Sequence, residues 1–288
     1  MYKIAILGCE NSHANSFLKL ITEGLYPDLQ VVGVYSDDAA AAAKLNEQFG
    51  VEVMDNYDSL VGQVDGVMVT ARHGDNHYKY AKPYLQSGIP MFIDKPITCS
   101  DEEGVAFMKE AKQLSVRLCG GSTCAYLSET LELAEAVKES SCGDLRGGSV
   151  VCPYYPDSPY GGFHFYAQHL VDVMIAVFGD KILRVRADET NNSLSFTAVY
   201  DGFSVQGIYV RSTGYYSVSV FGSKSIRTEQ LTFNNKSFCH EMDDMLHLLK
   251  GGEMKKSYEQ FILPVFVINA IQRSVETGEW VCIPAAKI

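Results

Sequence analysis

Short apolar runs alternate with amphipathic stretches over about the first 120 residues, a typical domain length, and this alternation most narrows the folds open to the chain. Tyr2–Leu7 runs into Gly8, Leu29–Tyr35 stops at Ser36-Asp37-Asp38, and Val51–Met54, Val64–Thr70, Pro90–Ile93 and Val116–Cys119 read as further strands. Between them lie helical stretches: one capped by Asn11 or Ser12, Ala39–Phe49 behind Asp38 as its N-cap, Tyr57–Val61, Asn76–Gln86 and Asp101–Leu114. A βαβα order of this kind predicts a parallel sheet covered by helices on both faces.

In such a sheet the ligand crevice lies outside the carboxyl ends of the strands. Lys95 follows the run Pro90-Met-Phe-Ile-Asp94 directly, so it falls at that edge. A lysine there is a candidate proton carrier, since burial or a neighbouring positive charge lowers its pKa toward neutrality. Taken alone, a surface lysine after a strand is the commoner arrangement. Asp37, at the tip of the second strand, stands where a Rossmann fold holds the ribose hydroxyls of NAD; it would repel the 2′-phosphate of NADP, and no lysine or arginine follows within the next six residues. The glycine fingerprint is reduced to Gly8, with Glu10 and His13 at the second and third positions. A carboxylate beside a pyrophosphate is repulsive. Either Glu10 turns outward and the pyrophosphate rests on the helix start at Asn11, Ser12 and His13, or the cofactor takes another pose. His13 is equally well read as plain packing.

Beyond Cys119 the pattern changes. A helix over Ala125–Glu139 precedes strands at Ser149–Cys152, Ile182–Ala187, Leu194–Tyr200, Ser204–Val210, Ser217–Phe221 and Arg227–Thr232, punctuated by Asn191-Asn192, Asp201-Gly202 and Gly214. Successive hairpins predict a mostly antiparallel sheet. Helices at Glu241–Lys250 and Tyr258–Thr277 and a strand at Trp280–Ile283 close the chain. The expected division is a Rossmann domain, 1–122, and an α+β domain, 123–288, the last helix being free to pack back on the first domain. Inside the second lies Gly161-Gly-Phe-His164-Phe-Tyr166-Ala-Gln168-His169-Leu-Val-Asp172; on a helix His169 and Asp172 share a face, and His164 and Gln168 form an i, i+4 pair. Without Lys95 in view, His169 would read as a satisfied core histidine.

The order of the Gly8 turn, the acidic tip at Asp37, the segment Thr70–His77, Asp94-Lys95-Pro96 and His169-x-x-Asp172 resembles the Gfo/Idh/MocA oxidoreductases over nearly the whole chain. Asp94-Lys95-Pro96 is similar to the family's Glu-Lys-Pro, and His77 matches the histidine ending its turn after the fourth strand, here longer and carrying Arg72 and His73. The resemblance implies NAD held around Gly8, Glu10, Asn11, Ser12, His13, Asp37, Thr70, His77 and Lys95, with Lys95, His169 and Asp172 catalytic. Hydride passes between the nicotinamide and a hydroxyl carbon of a sugar or polyol while His169 or Lys95 moves the proton, and Asp172 orients His169 or holds a hydroxyl. Phe165 stands where the family motif has Asp, leaving His164, Tyr166 and Gln168 as substrate contacts. A homo-oligomer, dimer or tetramer, is implied by analogy. Two other readings follow from the same resemblance: a glycosidase using transient oxidation, and a non-catalytic nucleotide- or sugar-binding sensor, which Glu10 and Phe165 favour.

Composition bounds the partners. A net charge of −11 and a pI of about 5.1 argue against nucleic acid. No apolar run of about 18 residues exists for a membrane helix, and Met1 passes into the first strand without room for a signal peptide. The eight scattered cysteines, with no Cys-x-x-Cys pair, fit reduced thiols in the cytoplasm. Metal binding is not expected, since no His-Glu-x-x-His or comparable spacing joins His73, His77, His164 and His169.

Overall fold

A computed structural model describes residues 1–234 and 236–288. The chain forms two compact units: Met1–Gly121 with Phe238–Phe261 and Ile288, and Ser122–Ser237 with Ile262–Lys287.

The first unit is built on a five-stranded parallel sheet in the order β2-β1-β3-β4-β5, with β1 at Tyr2–Leu7, β2 at Leu29–Tyr35, β3 at Gly66–Val69, β4 at Met91–Asp94 and β5 at Leu118–Gly121. The strands β3, β4 and β5 are buried at every position, which is why they read as continuous apolar runs. Helices α1 (Ser12–Thr22), α2 (Ala39–Phe49), α3 (Asp75–Leu85) and α4 (Asp101–Gln113) connect them. Asp38 caps α2 by accepting the Ala41 N–H at 3.1 Å, and Ser100 caps α4 through Glu103 N at 3.2 Å. The expected strand Val51–Met54 does not form. It contributes a single parallel bridge, Val53 to Val34, beside β2 at the edge of the sheet, where among the described residues no further strand covers Val53 and it is left 40 % exposed. The expected helix Tyr57–Val61 is a series of turns. Ile4, Ile6, Phe17, Met68 and Phe92 form a core completed by Met242, Met245 and Leu248. Those three belong to the helix Cys239–Leu249, the seventh in the chain.

In the second unit a 3₁₀ turn (Thr123–Tyr126) and α5 (Ser128–Lys138) lead to β6 (Leu145–Pro153) and α6 (His164–Phe178). Strands β7 (Arg184–Glu189), β8 (Ser193–Val199), β9 (Ser204–Val210), β10 (Ser217–Gly222) and β11 (Ile226–Gln230) follow, then α7 (Cys239–Leu249) and α8 (Tyr258–Thr277), and last β12 (Val281–Cys282). The sheet order is β11-β10-β6-β9-β8-β7-β12. Every pairing is antiparallel but one: β9 ends the meander β7-β8-β9 alongside β6 and runs parallel to it. Alternation along the strands sends Val185, Ala187, Leu194, Phe196, Ala198, Val205 and Tyr209 into one face. Leu170, Val173, Met174 and Val177 of α6 and Val267, Ile268 and Ile271 of α8 pack in the same core. Phe196 pairs across the ladder with Gly207, and a Cβ there would sit 2.0 Å from its ring, so only glycine fits.

Candidate active site

Gly8 ends β1 with φ of +76°, and a Cβ on it would meet the Ala71 backbone at 2.4 Å. The turn therefore needs glycine for conformation and for close approach. Two sequence-expected residues hold it. Thr70 Oγ1 donates to Gly8 O at 3.1 Å, and His77 Nε2, facing a carbonyl that can only accept, donates to Ala71 O at 2.8 Å. Both side chains are fully buried, and burial pushes the His77 imidazole pKa down, keeping it neutral. Thr70 and His77 thus shape the turn with the polar atoms just named.

The Glu10 carboxylate is occupied by two neighbouring segments. It accepts Ser36 Oγ–H at 2.6 Å and Arg72 N–H at 2.9 Å, tying together the segments that follow β2 and β3. Asn11 caps α1, accepting from His13 N at 3.2 Å and from Ser12 Oγ at 3.4 Å, and no acidic residue stands in that helix's first turn. Its amide donates to Asp94 Oδ2 at 3.2 Å, and His13 Nδ1 lies 2.7 Å from the same oxygen. Asp94 Oδ1 accepts the Lys95 N–H at 2.7 Å. Full burial by itself would raise the Asp94 carboxyl pKa; the His13 ring and the Lys95 charge outweigh it and hold the group below the ordinary carboxylate range. Lys95 itself is 3 % exposed. Asn11, His13, Asp94 and Lys95 are therefore one cluster at the carboxyl ends of β1 and β4.

Asp37 is at the tip of β2 and open to solvent. Tyr35 O–H donates to it at 2.6 Å and Tyr80 O–H at 2.8 Å, which with Lys79 at 3.5 Å lowers its pKa and keeps it ionised. The Lys79 ammonium also sits over the rings of Tyr57 and Tyr80, 5.6 and 5.2 Å from their centroids. No lysine or arginine follows Asp37 within six residues in sequence, but α3 supplies Lys79 in space. An ionised carboxylate here, a helix start free of acid and a glycine turn fit a dinucleotide.

In the second unit His169 and Asp172 are both buried on α6. Ser122 links them: its backbone N–H donates to Asp172 Oδ2 at 2.8 Å, and its Oγ lies 2.6 Å from His169 Nδ1. Gln168 Nε2 donates to the same Asp172 oxygen at 3.1 Å, and His164 Nε2 to Asn269 Oδ1 at 2.8 Å. Tyr166, one of the three expected substrate contacts, lies beside His169, ring to ring at 5.0 Å, with its phenol pKa raised by burial. Phe165 packs on Tyr160 and Tyr166. Sequence reasoning missed Ser122; a serine capping a turn straight after β5 was the available signal. His73, Asp75 and Cys99 bring one potential metal-ligand atom each within 4.8 Å of one another. Burial and the Asp75 charge push the Cys99 thiol up to about 12, so it stays protonated.

Residues 2–122 match the model of a family described as an oxidoreductase family with an NAD-binding Rossmann fold. The UDP-N-acetylglucosamine 3-dehydrogenase of Acidithiobacillus ferrooxidans is 27 % identical over 92 residues, 32 % of this chain and 29 % of that protein. The glucose-6-phosphate 3-dehydrogenase of Bacillus subtilis is 26 % identical over 148 residues, 50 % of this chain and 40 % of that protein. The chain thus spans less than half the length of these curated relatives. The crystal structure of scyllo-inositol dehydrogenase from Lactobacillus casei, with NAD(H) and scyllo-inositol, superposes with a TM-score of 0.86 at 15 % identity, covering 98 % of this chain and 99 % of that one. At that identity the likeness establishes the fold.

Proposed function

We propose that this chain, which belongs through residues 2–122 to the Gfo/Idh/MocA family of NAD-binding oxidoreductases, interconverts a hydroxyl and a carbonyl on a sugar, a cyclitol or a related polyol. The observation that carries the reading is Lys95, 3 % exposed at the carboxyl end of β4. Lysine is almost never so buried unless it is paired, and here it adjoins an ionised Asp94. The relatives whose names specify sugar or inositol dehydrogenases support the substrate class.

NAD supplies the hydride acceptor or donor. The chain's residues do the rest. Asp37 accepts the ribose hydroxyls, the amides at the start of α1 receive the phosphates, and Glu10, Thr70 and His77 hold the turns in place. Lys95 and His169 act on the reacting hydroxyl, an ammonium and an imidazole being suited to a developing alkoxide. Asp172 holds Ser122 and Gln168, and Tyr166 lines the substrate side. Residues 1–122 are assigned to the dinucleotide and 123–288 to substrate and self-association. The outward positions of the second sheet, among them Arg186, Ser195 and Gln206, are exposed for a like partner. The eight free cysteines favour a reducing, cytoplasmic setting.

The experiment is a thermal-shift titration with NAD followed by a turnover screen of inositols, aldoses, sugar phosphates and nucleotide sugars. NAD is expected to raise the melting temperature by mass action, and a member of the panel to reduce it. A melting temperature indifferent to saturating NAD would overturn the reading.

A further inference from the structure

We infer that Ser122 sets the tautomer of His169, so that the neutral imidazole carries its proton on Nε2 and meets the substrate oxygen as a hydrogen-bond donor. The argument is a count of donors and acceptors around one buried hydroxyl. Ser122 has no exposed surface. Its backbone N–H is committed to Asp172 Oδ2 at 2.8 Å. Its Oγ accepts the Cys124 N–H at 3.1 Å, which leaves one proton to donate. The acceptor within reach among the described residues is His169 Nδ1, at 2.6 Å. A buried hydroxyl proton without an acceptor is costly, whereas one donated to Nδ1 is satisfied. The Nδ1 lone pair is then occupied, and the ring proton of the neutral form must sit on Nε2.

Asp172 acts on this arrangement through Ser122. By accepting the Ser122 N–H and the Gln168 amide on a single oxygen, it fixes the backbone from which the serine hydroxyl is presented. Cys124 Sγ lies 3.6 Å from the same Nδ1, and a thiol there is at most a weak donor of the same polarity. A carboxylate bonded directly to Nδ1 would do the opposite: it would accept from Nδ1–H and leave Nε2 as the base. Ser122 reverses that polarity.

The consequence for catalysis rests on the dehydrogenase reading above. With Nε2 protonated, His169 is not the base that takes the hydroxyl proton. In the oxidising direction the carbon–hydrogen bond breaks with its electron pair leaving as hydride to NAD, the hydroxyl proton passes to the amine form of Lys95, and the new carbonyl oxygen accepts from His169 Nε2–H. Reduction runs the same transfers backward. Ser122 is a positioning residue in this scheme, acting through His169.

The test is nitrogen-15 NMR of the imidazoles in uniformly labelled protein, with the His169 signals identified by their absence in His169→Gln. At a pH where the ring is neutral, the wild type is expected to show an unprotonated Nδ1 and a protonated Nε2. Ser122→Ala should lose that preference, giving a mixed or inverted tautomer, while Ser122→Thr, which keeps the hydroxyl, should retain it. Turnover of Ser122→Ala should fall about tenfold, the effect of one lost hydrogen bond to a reacting group, with NAD affinity unchanged. An Nδ1-protonated His169 in the wild type, or the same imidazole pattern in Ser122→Ala as in wild type, would overturn the inference. The imidazole pattern needs no turnover, so it separates failure of this inference from failure of the dehydrogenase reading. The wild-type spectrum also decides the matter if Ser122→Ala does not fold.

Discussion

Glu10 Oε2 accepts the Ser36 hydroxyl at 2.6 Å, and its other oxygen accepts the Arg72 N–H at 2.9 Å. A residue that breaks the dinucleotide fingerprint is thereby turned into a brace between two loops at the carboxyl edge of the first sheet.

Removing the brace has a definite sign. Glu10→Gly relieves any repulsion of a pyrophosphate but also frees both loops, and two hydrogen bonds to a carboxylate outweigh a partly screened repulsion. The variant should lose about 1–3 kcal/mol of stability in denaturant titration and bind NAD more weakly by calorimetry, with Glu10→Gln intermediate. Tighter binding in Glu10→Gly would mean that the charge, and not the brace, dominates.

At the other end of the cofactor, NAD should bind more tightly than NADP, since Asp37 is held ionised chiefly by the Tyr35 hydrogen bond and then by Tyr80 and Lys79. Lys79 is 3.5 Å away and softens the repulsion of a 2′-phosphate. Lys79→Ala should therefore widen the preference for NAD by roughly two- to fivefold, the scale of an exposed ion pair. Paired calorimetric titrations check it, and tighter binding of NADP to the wild type would remove Asp37 from the ribose.

How legible the molecule was follows from what each residue type reveals before it is folded. The strands β3 to β5 stood out because strands covered on both faces read as near-continuous apolar runs. Val51–Met54, interrupted by the exposed Glu52, gives only the Val34–Val53 bridge. Lys95 and Asp37 were visible because strand ends are where such a sheet binds ligands. Ser122 and Lys79 were not: a serine in a loop and a lysine on a helix carry no periodic signal, and Ser122 meets His169 across 47 positions. Only the packed chain decides which lone pair faces which proton.

Acid should loosen the protein through His77. Burial depresses its folded pKa below that of the free imidazole, so below about pH 6.5 the unfolded chain binds a proton that the folded one does not. Stability is therefore highest above about pH 6.5 and falls as pH drops below it. Asp94, whose folded pKa is also depressed, adds a second loss at lower pH, beginning near the ordinary carboxylate value of about 4. Melting temperatures across this range should show the first step flattened in His77→Gln and the second in Asp94→Asn. An unchanged first step in His77→Gln would assign it to another histidine.

The central claim is that Lys95 moves the proton of the reacting hydroxyl and His169 hydrogen-bonds to its oxygen in a dehydrogenase, and the most direct measurement is steady-state NAD reduction by wild type, Lys95→Ala and His169→Ala on the best substrate of the screen. Each variant should lose roughly a hundredfold or more in turnover, the usual share of a positioned acid–base group for Lys95 and of a donor to a developing oxyanion for His169, while melting like the wild type. The double variant should lose less than the product of the two single losses. Turnover near the wild-type rate in both single variants would contradict the account.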